Sequence, residues 1–135
     1  MITEAATQAA FDARLKTFTV GGDINLWGSP YQPQAGRGYL SSQLSSYTRT
    51  PLGIGADSAG QAVGTYLIRV NRPAIEGARI AQETAARLCV LFRRGTALAL
   101  ATGGVITVQQ ASEQAGISAG DWLTVPVVVQ FFGTD

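Results

Sequence analysis

The chain has 135 residues, 46% of them hydrophobic and 14% charged, with a net charge of +1, one cysteine and no histidine. A single cysteine excludes an intrachain disulfide, and the lack of histidine removes the Ser-His-Asp and Cys-His nucleophile systems and the commonest metal ligand. The near-zero charge argues against a dedicated nucleic-acid binder, and charge well below the usual quarter leaves Gly, Ala, Ser, Thr and Gln to fill a surface of the kind that other subunits cover.

Thr3 to Phe18 reads as a helix. Thr3 is the N-cap, Glu4 suits the first turn, and Phe11, Leu15 and Phe18 form one apolar face at i, i+4, i+7. Gly21-Gly22 ends the segment. Ile24 to Trp27 is a short extended piece. From Gly28 to Gly38 the density of Pro and Gly permits only a loop or arm.

Tyr39 to Leu52 and Gln61 to Val70 read as two extended runs around a turn at Gly53–Gly60, together a long β-hairpin over 39–70 that reaches beyond a small core. Pro73 opens a second helix, with Asn71 as a candidate cap. Its apolar face is Ala78, Ala81, Ala85, Leu88 and Phe92. Arg79, Glu83 and Arg87 share another face, Arg93-Arg94 fall in the last turn, and Gly95 ends it. Val105–Gln110 and Trp122–Phe132 are strands, with Pro126 marking an edge or a bulge in the second, and Ala111–Asp121 is a connecting loop. The expected fold is one α+β domain, 1–135, with an antiparallel or mixed sheet and both helices on one face.

Catalytic equipment is sparse. The nine acids are scattered, mostly at helix starts and in turns, where capping and solvation account for them. Cys89 lies in the apolar run Leu88–Phe92 and reads as a small buried hydrophobe. The Gly-rich turns match no phosphate-binding loop. Arg93-Arg94 could contact phosphate, although cations satisfying a helix C-terminus explain them more simply. No enzyme activity, cofactor or metal is expected. The N-terminus lacks the basic n-region and long apolar core of a signal peptide, and no apolar run approaches a membrane span. The reading is an intracellular, soluble product.

The order of these signals resembles the tail terminator proteins of lambda-like, long-tailed bacteriophages. The likeness is carried by the helix ending near Phe18, Asn25-Leu26-Trp27-Gly28 with the Pro/Gly/Tyr-rich arm, and the strand Gly64–Val70. It continues through the helix with Ala81 and Ala85, Phe92-Arg93-Arg94-Gly95, and Trp122–Val127 with its W-x-x-V-P-V pattern. The resemblance implies a homo-hexameric ring on the last ring of tail tube protein. That ring stops tube polymerisation, meets the head-completion (neck) proteins, and passes DNA without holding it. Another head-tail joining or tube-like virion protein, or a small ligand-binding α+β domain, remains the alternative.

Expected contact residues follow from both readings. Tyr31, Tyr39, Tyr47 and Arg49 lie on the arm and hairpin, where aromatics suit an interface. Arg79, Arg87, Arg93 and Arg94 lie on or after the second helix. Nine of the ten cations are Arg, the better partner for interface carboxylates; a GC-rich codon composition explains the same bias. Pairing of these arginines within their own helix, through Glu76 and Glu83, is the competing expectation.

Overall fold

The structure is a computed structural model that describes residues 1–18, 23–26, 32, 36–54 and 59–134. Two α-helices cover one face of a strongly curled, mixed seven-stranded sheet, as the α+β pattern predicts. Helix α1 spans Glu4–Leu15 and α2 spans Ala78–Leu91. The strands are β1 Asp23–Asn25, β2 Tyr39–Pro51, β3 Gly60–Pro73, β4 Ala97–Ala99, β5 Val105–Glu113, β6 Ile117–Ala119 and β7 Trp122–Thr134. Their order is β1-β2-β3-β7-β5-β4, with β6 on the start of β7. Among the described residues, only β1 and β2 pair parallel.

Alternation along the strands sorts core from surface. Val125, Val127, Val129 and Phe131 of β7 face inward and pair with Val70, Ile68, Tyr66 and Gly64 of β3. Phe11 of α1 closes this face: its ring lies 4.6 Å from Tyr66, 5.1 Å from Phe131 and 5.9 Å from Phe92, just after α2. Ala81, Ala85 and Leu88 bury the facing stripe of α2. Thr3 caps α1 as expected, its Oγ1 accepting from Ala6 N at 3.1 Å.

Tyr39–Pro51 and Gly60–Pro73 pair antiparallel from Tyr39↔Asn71 to Pro51↔Gly60. They do not stand away from the core, however, because β3 is also flanked by β7 from Gln61↔Thr134 to Pro73↔Trp122. The turn residues 55–58 lie outside the described residues, as do Gly21-Gly22, Trp27, Tyr31 and most of the arm.

Three local expectations change. Pro73 ends β3 rather than opening a helix; a 3-10 turn over Ala74–Glu76 follows, and α2 starts after Gly77 at φ +80° with no side-chain cap. Asn71 is buried in β3, its Nδ2 donating to Ser41 Oγ and its Oδ1 accepting from Thr124 Oγ1 at 2.8 Å. The ladder to β7 continues to Pro73 and overrides the local capping signal. The stretch 111–121 is largely paired: Ala111–Glu113 complete β5, and Ile117–Ala119 form β6, which turns through Gly120 at φ +59° into β7.

Pro126 sits in a central strand, not at an edge. Its carbonyl accepts from Gln114 N at 2.9 Å, on the side where β5 has ended. A strand residue's N and O point the same way, so the missing N–H faces that break and costs no ladder bond to β3.

Candidate contact surface

The described residues bring no three of His, Cys, Asp and Glu together, and neither helix is long and apolar enough to cross a membrane. The features that remain are grooves and exposed charged side chains.

Tyr39, the first residue of β2, is half-buried and stands edge-on to Trp122 with ring centroids 5.4 Å apart. This fixes both aromatics at one end of the sheet. Beside Trp122, a recess of about 310 Å³ is lined by Pro73, Ala74, Ile75 and Asp121. Tyr47 and Arg49, also half-buried, belong to the inward register of β2, where Tyr47 packs against the core and the Arg49 guanidinium lies over Gly60.

The arginines divide by location. Arg79 is exposed and donates from Nε to Glu83 at 2.9 Å, the intrahelical pairing expected as the competing reading. Glu76 is held instead by Arg72, whose Nε and Nη2 reach its two oxygens at 2.9 Å each. Arg87 is exposed on α2. Arg93 and Arg94 follow the end of α2 rather than lying in its last turn, because the helix stops at Leu91.

A residue that sequence reasoning passed over joins them. Arg14, in the last turn of α1, donates from Nε and Nη2 to Leu91 O at 3.1 and 3.0 Å. It therefore caps the C-terminal end of α2 from a position 77 residues away in sequence. Arg14, Arg93 and Arg94, with Gly95 and Thr96, line a groove of about 380 Å³. No local signal marks Arg14 for this place; only the tertiary placement of the end of α1 near the end of α2 does.

On the flank of α2, a second groove of about 560 Å³ is lined by Arg79, Gln82, Glu83, Glu113 and Gln114, among others. Cys89 is half-buried against the core edge. Burial first, and then the negative charge of Glu113, push its thiol above the ordinary range. Both effects lower its thiolate fraction at neutral pH.

Comparison with known proteins places this geometry. No curated protein matches the chain. One solved structure superposes with a TM-score of 0.73 at 23% identity, over 100% of this chain and 97% of its own. A chain from the virion of a native gene transfer agent particle superposes with a TM-score of 0.64 at 20% identity, over 97% and 96%. At these identities the likeness is one of fold. The sequence itself goes further: the family described as phage tail terminator protein matches residues 6–131, nearly the whole length, and the chain therefore belongs to that family of structural tail proteins.

Proposed function

We propose that the protein is the ring-forming terminator at the head-proximal end of a phage tail. Six copies close on the last ring of tail tube protein, stop its polymerisation, and present a surface to the head-completion proteins. The observation that carries this reading is the family match over residues 6–131. A net charge of +1 supports a lumen that lets DNA pass without holding it, since dense phosphate contacts would retain the duplex. The working unit is the single domain 1–135. Contacts to neighbouring copies or to the tube fall on the arm, on Tyr31, Tyr39, Tyr47 and Arg49, and on Arg79, Arg87, Arg93 and Arg94. Identical subunits joined through two different surfaces close into a cyclic ring when the rotation between neighbours divides the full circle.

The test is tail assembly with and without the protein. Tails made without it should run to irregular, excessive lengths, and adding it should fix the length and leave six copies at one end. Tails of normal length in its absence, or a single copy per tail end, would refute the reading. Normal tube length with failure only at head joining would point to another head-tail joining protein.

A further inference from the structure

The two grooves beside α2 have opposite and unmet charge. The first is lined by three arginines: Arg14, held on Leu91 O, and the exposed Arg93 and Arg94. None of the three makes an ion pair among the described residues, and no described carboxylate lines the groove. Capping of α2 does not account for so much charge. A helix C-terminus carries roughly half a negative charge, so three cations there leave more than two positive charges unanswered.

The second groove holds the converse. Glu83 is matched by Arg79, but Glu113, exposed at the end of β5, makes no ion pair among the described residues. The turn it begins is anchored by Gln114 N donating to Pro126 O at 2.9 Å. A chain does not pair its own two sites. Gly95, in the arginine groove, donates to Val108 O, and Val108 stands five positions before Glu113 on β5, which sets the two backbones roughly 15 Å apart at strand rise.

Accepting that copies of the chain assemble on the tail, we infer that the anchored Glu113-Gln114 turn of one copy seats in the Arg14–Arg93–Arg94 groove of the next. The occupant is a second copy rather than DNA. Gripping a duplex takes a stripe of cations along several phosphates, whereas this is one recess on a near-neutral chain, matched to a single forked carboxylate. The two surfaces differ, so the contact is head-to-tail and each copy offers one of each, as ring closure requires. The groove's guanidinium fork also explains why arginine, and not lysine, stands at all three positions.

The experiment is a charge exchange in the full chain, read as copies per tail end on tails assembled without the endogenous protein. The double variant Arg93→Glu/Arg94→Glu and the single variant Glu113→Arg should each remain folded, since all three residues are exposed; the double variant gives up only the favourable cations beside the α2 C-terminus, a small loss of Tm. Each should also lower occupancy at least tenfold. Combining all three restores opposite charge across the contacts of positions 93 and 94, with Arg14 left unchanged, and occupancy should recover to within a few-fold of wild type. The inference is overturned if the variants cap tails like wild type, or if the triple variant does no better than the double. It is equally overturned if wild type binds a short DNA duplex in low salt and only the arginine double variant loses that binding. Wild type present as a single copy per tail end would instead overturn the ring reading on which the inference stands.

Discussion

Tyr66 donates its hydroxyl to Asp12 Oδ1 at 2.6 Å, tying the centre of the sheet to α1. The same oxygen accepts from Gln8 Nε2 at 2.9 Å and from Ser42 Oγ at 3.2 Å, and Gln8 in turn takes the Leu44 amide of β2 at 3.0 Å. α1 is thus attached twice, through the Phe11 ring on Tyr66 and through this polar cluster beneath it. Tyr66→Phe keeps the ring and removes the donor. It should cost about 1.5–3 kcal/mol, the range for a hydrogen bond to a charged group, and lower Tm by roughly 3–5 °C per kcal/mol.

The same phenol gives a pH dependence. Burial first, then the hydrogen bond to Asp12 and its charge, outweigh the opposing bond with Ser42 and raise the Tyr66 pKa far above its ordinary value. The folded pKa is the higher one. The stabilisation is therefore complete below the unfolded tyrosine pKa, about 10, and is lost as pH rises beyond it. In ultraviolet titration at least one of the four tyrosines should ionise only as the chain unfolds. The Phe variant should lose that late step and show a shallower fall of Tm above pH 10. Complete tyrosine ionisation in the folded protein would contradict it.

Two i,i+4 arginine pairs should differ in worth. Arg72 grips both oxygens of Glu76 and is only 18% exposed, whereas Arg79 reaches Glu83 through one contact at 88% exposure. Arg72→Ala should cost about 1 kcal/mol, while Arg79→Ala should leave the thermal midpoint unchanged. Equal effects in parallel melts would show that geometry and burial do not separate the pairs.

Gly64 sits in β3 opposite Tyr47, just past the irregularity between Leu44 and Ser46, and beside Phe131. A Cβ there would overlap the Ser46 carbonyl oxygen and stand 2.8 Å from Phe131 Cζ. Backbone cannot yield as a flexible side chain can, so Gly64→Ala should destabilise by roughly 2–3 kcal/mol, measured by denaturant midpoint. A neutral substitution would mean that β2 shifts freely at this point.

Cys89 should alkylate slowly in the folded protein, with its pH midpoint above that of the unfolded chain. Glu113→Gln should move the midpoint only part of the way back, because burial is the larger cause. A full return to the unfolded value would reverse that ranking.

Sequence alone determined what rests on local periodicity. The Thr3 cap is a local signal, and the Phe11–Leu15 face and the Ala81–Ala85–Leu88 stripe repeat at the helical period. The helices-on-one-face arrangement and the family resemblance follow from the order of those elements. What the sequence misplaced was settled by partners far along the chain. Asn71 and Pro73 look like a helix start but belong to a strand, because β7 supplies the ladder. Ala97–Ala99 and Ile117–Ala119 are too short to show a period and exist only against β5 and β7. Arg14 reads as one more exposed cation of an N-terminal helix; the end of α1, set on the sheet near the end of α2, turns it to Leu91 and makes it the third arginine of a groove. Periodicity records which face of an element is buried, while the contact between two faces forms only when the chain has closed on itself.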